Sequence, residues 1–158
     1  MTPDVNVLLA ASRTDHPHHT VARAWLEGAV EMAQGGGSLL MLPMVLASFL
    51  RLATHPKVFR QPTQPVAAVE FIDSLLAVPG VEIADLGREW PALRRLVQAH
   101  ELTANDVPDA WIASAVQTLG TRLVTFDRGF QRWLGRSELT MLPPVSRPVS
   151  GLQPVQDR

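Results

Sequence analysis

The chain has 158 residues, of which 46% are apolar and 18% charged, so it can form one domain-sized core and is not intrinsically disordered as a whole. Its 14 basic and 15 acidic residues give a net charge of −1, so any contact with nucleic acid requires a local basic patch. The absence of cysteine excludes a disulfide scaffold, a thiolate zinc site, an iron–sulfur cluster and a cysteine nucleophile, and it is compatible with a reducing, cytoplasmic environment.

Helices and strands are predicted to alternate from residue 1 to about residue 143. In chain order, we predict a very short extended segment ending at Asp4, a helix from Pro17 to the glycines at 35–37, a strand at 39–42, helices at 43–53 and 65–78, a strand at 81–84, helices at 90–100 and 108–119, a strand at 123–126, a last short helix, and a strand at 139–142. The stripe of the first helix contains Val21, Ala24, Trp25 and Gly28, and Val69 faces inward in the 65–78 helix. Strands that alternate with helices through short loops predict an α/β domain with a central, mainly parallel β-sheet flanked by helices.

Two further features concern the ends and the apolar runs of the chain. The longest apolar run, at 39–52, is interrupted by Pro43 and Arg51, and it falls short of the roughly 18 to 20 residues that a membrane span needs. The N-terminus lacks the basic and then apolar pattern of a signal peptide, so we expect no membrane association and a cytoplasmic location. Residues 144–158 are rich in proline, and we predict a disordered tail there after a domain at 1–143.

Three acidic residues stand at the boundaries of predicted elements. Asp4 ends the first extended segment, Asp109 lies in the first turn of the 108–119 helix, and Asp127 directly follows the buried strand at 123–126. Because the carboxyl ends of parallel strands and the adjacent helix starts line one crevice, we expect these three carboxylates to converge. That helix offers no cation to pair with them, and gathered carboxylates without a cation are typical of a Mg²⁺ or Mn²⁺ site.

Each acid also has a purely structural interpretation. An aspartate in the first turn of a helix often serves as a cap or interacts with the helix dipole, which applies to Asp109. Asp127, before Arg128 and Gly129, is a plausible turn former. Asp106 is either the N-cap of its helix or an additional acid of the metal site. The functional interpretation therefore depends on the three acids acting together.

Short segments along the chain together resemble one known family. They are DVNVLL at 4–9, HPHH at 16–19, AWL at 24–26, FLR at 49–51, PDA at 108–110 with IA at 112–113, and VTFDRGF at 124–130. Over residues 1 to about 143, this ordered set resembles the VapC-type toxins of the PIN-domain ribonuclease family. The resemblance implies a PIN fold and an acidic site that holds Mg²⁺ or Mn²⁺ and hydrolyses RNA endonucleolytically through a metal-activated water. It also implies a VapB-type antitoxin, a homodimer, and an RNA substrate of the tRNA or rRNA class.

The resemblance assigns roles residue by residue. Asp4, Asp109 and Asp127 take the positions of catalytic, metal-binding acids of the family, and Asn6 matches the neighbouring amide that orients the first acid. The family's second acid, usually a glutamate, falls on Ser48. This departure implies that Asp106 substitutes for it, that water fills the position, or that metal affinity is lower.

Other residues are assigned supporting or RNA-binding roles. Thr125 or Asp106 is expected to support the metal site, and Arg51, one turn after Ser48, either contacts RNA phosphate or bridges the acids, or else forms an internal salt bridge. Arg128 is a further candidate for contact with the RNA backbone, together with Arg13 and Arg132. The histidines 16, 18 and 19 and the tryptophans 90, 111 and 133 admit functional readings, but a solvated helix start and core packing explain them more simply.

Two other functions compete with the nuclease. An aspartate after the first strand also occurs in haloacid-dehalogenase-like phosphatases, but these normally carry a second aspartate two residues later, where this chain has Asn6. The second alternative is a catalytically degenerate PIN-like module that binds RNA or a partner protein, because the acid expected at Ser48 is missing.

Overall fold

The structure is a computed structural model that describes residues 1–144. In chain order, the elements are β1 (Thr2–Pro3), α1 (Val5–Ser12), α2 (His19–Gln34), β2 (Leu39–Met41), α3 (Pro43–Ala53), α4 (Pro65–Leu76), β3 (Val81–Ile83), α5 (Trp90–His100), α6 (Asp106–Leu119), β4 (Leu123–Thr125), a 3₁₀ helix (Arg128–Arg132) and β5 (Leu139–Met141). The bounds of α3 and α5 agree with the sequence prediction. The predicted tail, beyond its first residue, lies outside the described residues.

The strands form a parallel arrangement with β1 at its centre. One ladder has the order β1–β4–β5, and β2 pairs with β3 in a second ladder, with every pairing parallel. Leu40 N–H donates to the Met1 carbonyl at 2.9 Å, and the Met1 amino group donates to the Ser38 carbonyl at 3.1 Å, so β1 connects the two ladders. The prediction of a central, mainly parallel sheet flanked by helices is confirmed.

Helix α1 was not predicted from the sequence. Its segment VNVLLAAS is almost uniformly apolar, so neither the helical nor the strand period is visible in it. In the structure Asp4 caps this helix, and residues 7–11 are all buried in the core. The helix therefore starts directly at the carboxyl end of β1, which places its first turn beside the end of β4.

Three helices differ in detail from the prediction. Helix α2 begins at His19, not Pro17, and its buried residues are Ala22, Leu26, Ala29 and Ala33 in place of the predicted stripe. Small alanines occupy that face because the helix packs closely against its neighbours, whereas the larger apolar residues flank the contact. In α4, Val69 is exposed and Ala68 is buried in its place. Helix α6 begins at Asp106, two residues before the predicted start.

Two glycines set the geometry of the turns. Gly120 ends α6 in the left-handed region at φ 60°, which lets the chain turn directly into β4. Gly80 precedes β3 at φ 81°, and a Cβ at this position would lie 2.5 Å from the Ala33 carbonyl oxygen. Any side chain at Gly80 would therefore separate β3 from the end of α2.

Candidate active site

Asp4 is the most buried acid of the chain's described part. It follows β1, has an extended backbone (φ −78°, ψ 162°) and accepts a hydrogen bond from Val5 N–H through Oδ1 at 2.6 Å. Its other oxygen, Oδ2, accepts from Asn6 Nδ2 at 2.7 Å and from Thr125 Oγ1 at 2.6 Å. The side chain is only 3% exposed, so these three donors replace the water that would otherwise solvate the carboxylate.

Thr125 and Asn6 form a hydrogen-bonded network around Asp4. The Thr125 hydroxyl donates to Asp4 at 2.6 Å. The same oxygen accepts two hydrogen bonds of 2.9 Å, one from Asn6 Nδ2 and one from Asp127 N–H. Asn6 Oδ1 accepts from Phe126 N–H at 3.2 Å, which ties α1 to the chain after β4. The network therefore positions Asp4 and the backbone of Asp127 together, whereas the roles of Asn6 and Thr125 in supporting a metal site stay predictions.

Asp127 and Asp109 lie on two further elements around Asp4. Asp127 is exposed and precedes the 3₁₀ helix as its N-cap, where its Oδ1 accepts from Gly129 N–H at 2.7 Å. This bond supports the structural interpretation of Asp127 as a turn former, and it leaves Oδ2 available. Asp109 is half-buried in the first turn of α6, and no hydrogen bond from residues 1–144 engages its carboxylate. Asp109 is therefore the acid with the most unused coordination capacity.

The three acids influence each other's charge. Burial, with a smaller contribution from the charges of Asp109 and Asp127, raises the pKa of Asp4 to about 6 against the lowering effect of the Thr125 and Val5 hydrogen bonds. Burial, followed by the negative charge of Asp127, also raises the pKa of Asp109. The convergence predicted from the sequence is supported by this mutual repulsion, which a bound cation would relieve.

A cation does reach this acidic region from outside α6. Arg132 Nη2 donates to Asp106 Oδ1 at 2.8 Å, and its charge lowers the pKa of Asp109, opposing the effect of burial. Asp106 is the first residue of α6 and Asn105 is its N-cap, so the prediction of Asp106 as the N-cap is wrong. Its pairing with Arg132 also makes Asp106 a poor substitute for a missing metal ligand.

The donor chemistry of the three acids fits a hard divalent cation. They offer oxygen atoms, they repel one another, and Asp109 and Asp127 retain unengaged oxygens. Within residues 1–144, however, no three His, Asp or Glu side chains are gathered closely enough to form a ready-made metal centre. The assignment of Asp4, Asp109 and Asp127 as metal ligands therefore stays a prediction.

Ser48 occupies an apolar groove between α3 and α6. The groove has a volume of about 460 Å³ and is lined by Pro43, Met44, Ala47, Ser48, Pro108, Trp111 and Ile112. Pro108 and Ile112 flank Asp109 in sequence, so Ser48 faces the part of α6 that carries this acid. Sequence reasoning did not identify the groove, because Trp111 was interpreted as core whereas it is 39% exposed.

The basic residues predicted to contact RNA are placed differently from one another. Arg51 and Arg128 are exposed, and within residues 1–144 no ion pair engages either of them. Arg13 is largely buried: it pairs with Asp15 at 2.7 Å, donates to Thr63 Oγ1 at 2.9 Å and stacks on Phe59. The prediction of Arg13 as an RNA contact is therefore wrong, because its guanidinium already fastens the loop at 55–63 to the domain.

The aromatic residues near the site complete its description. His18 stacks on Phe126 with ring centroids 4.8 Å apart. Phe126 directly precedes Asp127 in the chain. His19 Nδ1 lies 2.9 Å from the Ala10 carbonyl oxygen, so it is held by the core. Trp133 is buried, as expected for a core residue, whereas Trp90 is 64% exposed.

Comparison with known proteins identifies the family. The family model described as PIN domain matches residues 1–133. The chain belongs to the PIN domain family. The match spans every acid of the site described above, and it agrees with the resemblance found in the sequence. A haloacid-dehalogenase-like phosphatase is excluded by this result.

Several curated relatives of this PIN domain are VapC ribonucleases. The chain is 36% identical to ribonuclease VapC43 of Mycobacterium tuberculosis over 131 residues, which is 82% of this chain and 87% of that protein. It is 32% identical to ribonuclease VapC25 of the same organism over 143 residues, or 90% and 97% of the two chains. The prediction of a VapC-type PIN domain is confirmed.

Solved structures agree with the fold. A VapBC2 complex of Rickettsia felis, bound to a DNA fragment from its promoter, contains a chain that matches with a TM-score of 0.61 and 18% identity, covering 90% of this chain and 98% of that one. Mycobacterium tuberculosis VapC20, described as a toxin that cleaves the sarcin–ricin loop, matches with a TM-score of 0.58 and 20% identity over 83% and 92%. Among residues 1–144, no helix has the length and apolar character needed to cross a membrane.

Proposed function

We propose that this PIN domain is a VapC-type toxin of a type II toxin–antitoxin system: a cytoplasmic endoribonuclease that depends on Mg²⁺ or Mn²⁺. The observation that carries the proposal is the group of three mutually repelling acids at the carboxyl ends of β1 and β4 and the start of α6. The similarity of this chain to VapC ribonucleases, over 82% and 90% of its length, supports the ribonuclease activity. We propose the tRNA or rRNA class as its substrate.

The mechanism assigns separate tasks to the residues of the site. Asp4, Asp109 and Asp127 would hold the divalent cation, which when bound lowers the pKa of a water molecule and neutralises charge developing on the phosphate. Thr125 and Asn6 keep Asp4 oriented through their hydrogen bonds to Oδ2. No side-chain nucleophile is needed for hydrolysis by water, so the products should carry 5′-phosphate and 3′-hydroxyl ends.

The partners follow from the family. VapC toxins are neutralised by VapB-type antitoxins, and the Rickettsia felis structure is described as a VapBC complex on promoter DNA. We propose a VapB-type antitoxin for this chain, and a homodimer as its assembly. Arg51 and Arg128, both exposed, are the proposed contacts to RNA phosphate.

The experiment is cleavage of a mixed tRNA and rRNA pool by the purified, antitoxin-free protein with Mn²⁺ or Mg²⁺. Discrete cuts should disappear with a chelator and in Asp109→Asn, and they should persist in Asp73→Asn, which removes an exposed acid of α4. Products ending in a 2′,3′-cyclic phosphate would refute hydrolysis by water, because they require attack by the 2′-hydroxyl of the RNA.

A degenerate binding module is the second candidate, and it is favoured by the serine at position 48 and by the lack of a ready-made metal centre in residues 1–144. A degenerate domain would show no thermal stabilisation by Mn²⁺, whereas the nuclease should become more stable as Mn²⁺ is added. The same titration on Asp109→Asn reports whether any stabilisation comes from the proposed site.

A further inference from the structure

The groove between α3 and α6 combines an exposed aromatic ring with a position beside the acidic site. Trp111 forms one wall, and the rest of the lining is apolar except for the Ser48 hydroxyl. Pro108 and Ile112, on the same stretch of α6, flank Asp109, so the groove and the acid share the first turns of this helix. A group bound in the groove would therefore lie next to whatever Asp109 acts on.

A hydrogen bond from the indole nitrogen holds Trp111 in its orientation. Its indole N–H donates to Glu89 Oε1 at 3.0 Å, and Glu89 Oε2 accepts from Gly87 N–H at 2.7 Å. Glu89 is buried, and the hydrogen bonds from Trp111 and Gly87 lower its pKa, so they favour the ionised carboxylate. Because the indole N–H already donates to Glu89, the surface that Trp111 contributes to the groove consists of the carbon atoms of its ring.

Arg51 lies one turn beyond the groove residues of α3 and does not itself line the groove. Arg51 follows Ala47 by four residues and Ser48 by three on α3, so all three lie on one side of that helix. Side chains of helical residues lean toward the N-terminus, so the side chain of Arg51 is expected to extend toward the turn that carries Ala47 and Ser48. Its guanidinium is exposed, and within residues 1–144 it has no carboxylate partner.

The size of the groove suits a small occupant. A volume of about 460 Å³ falls within the range of roughly 300 to 1,000 Å³ that is typical of small-ligand sites. Proteins bind single-stranded nucleic acid by stacking its bases on aromatic side chains and by pairing its phosphates with basic side chains. Trp111 and the nearby Arg51 offer this combination.

We propose that this groove binds one unstacked nucleobase of the RNA next to the cleaved linkage, stacked on Trp111, with a flanking phosphate on Arg51. The inference rests on the proposed ribonuclease function and adds a substrate-positioning subsite to it. Ser48 supplies the only polar side chain of the lining, so the subsite discriminates weakly among bases. Glu89 acts through Trp111 and is a positioning residue.

The test measures RNA binding separately from cleavage. In the Asp109→Asn background with chelator, the affinity for labelled single-stranded RNA is measured by fluorescence anisotropy, and Trp111→Ala and Trp111→Leu are expected to weaken it roughly 5- to 150-fold. Leucine keeps an apolar wall without an aromatic face, so it covers the case in which alanine disturbs folding. Trp90→Ala is the matched control, because this exposed tryptophan of α5 does not line the groove, and its affinity should equal that of the parent.

Two further measurements identify the contacts. A single abasic nucleotide, moved along the RNA, should weaken binding by the parent at one position and have no effect there on Trp111→Leu. Arg51→Ala should reduce the slope of log affinity against log salt by about 1, as expected for the loss of one phosphate contact.

The outcomes separate the inference from the function on which it rests. Parental affinity in both folded Trp111 variants overturns the inference, even if the wild-type protein cleaves RNA. A fall in molecular mass by light scattering in Trp111→Leu also overturns it, because the groove would then be an interface between copies of the chain. A wild-type protein that cuts no RNA refutes the proposed function, whereas weaker binding by the Trp111 variants would still establish the stacking subsite.

Discussion

Ionisation of Asp4 should make the metal-free fold less stable, and Asp4→Asn should remove this effect. Burial raises the pKa of Asp4 from 3.8 to about 6 in the folded protein. A difference of one pKa unit corresponds to about 1.4 kcal/mol, so keeping Asp4 charged in the fold costs about 3 kcal/mol. This is a large share of the roughly 5 to 15 kcal/mol that stabilises a typical domain.

The pH range of the effect follows from the two pKa values. Below about pH 4, Asp4 is protonated in the folded and unfolded states, so its stabilising contribution is fully present. As the pH rises through the folded pKa of about 6, the unfolded chain releases the proton more readily and this contribution is lost. The difference between the wild type and Asp4→Asn should therefore shift in favour of the variant by about 3 kcal/mol between pH 4 and pH 8.

The assay is urea unfolding of both proteins at several pH values in a chelating buffer, with the free energy of unfolding extrapolated to water. Using the difference between the two proteins cancels the other titrating groups and any constant effect of the asparagine amide. A difference that stays constant from pH 4 to pH 8 would refute the reasoning, because it would mean that Asp4 keeps its ordinary pKa in the fold.

Three other perturbations test the rest of the site. Thr125→Val removes the hydroxyl that donates to Asp4, so at pH 8 it should destabilise the protein by about 1.5 to 3 kcal/mol in urea unfolding and raise the pKa of Asp4, while Thr125→Ser retains both properties. Ser48→Glu places a carboxylate opposite the start of α6 and should increase stabilisation by Mn²⁺ in thermal unfolding; Ser48→Gln should not, and equal gains would contradict a role for the charge. Arg132→Gln should raise the pKa of Asp109 in an NMR titration, because the Arg132 charge lowers it, while costing less than about 1 kcal/mol of stability, since its pair with Asp106 is half-exposed.

The fold class could be predicted because several elements carry strong local signals. Pro43 and Pro65 stand at the first positions of α3 and α4, and Gly120 ends α6, which made those boundaries readable from the sequence. The segment of α1 carried no comparable signal, because its apolar residues are continuous, and only its packing against α2, α3 and β4 shows why a helix forms there.

Part of the candidate site could also be predicted from the sequence. Asp4 and Asp127 follow parallel strands, so simple topology places them at one end of the sheet. The cation near Asp109 was missed, because Arg132 comes from a 3₁₀ helix 23 positions later in the chain and not from α6 itself. The same limit applies to Arg13, whose neighbours Asp15, Thr63 and Phe59 meet only in the folded protein.

The sequence by itself determined the α/β class, the parallel sheet and the chain positions of the acids, because strand and helix periodicity and boundary residues are local properties. Tertiary structure alone decided which carboxylate is buried and with which donors. Burial and the charges of Asp109 and Asp127 raise the pKa of Asp4, whereas the hydrogen bond from Thr125 lowers it, and all three residues lie more than 100 positions away in the chain. It also decided that Trp111 lies at the surface, where Glu89 holds its indole at the edge of a groove beside the acids. Burial and charge coupling depend on residues that meet only after folding, so the periodicity of the sequence cannot predict these two properties.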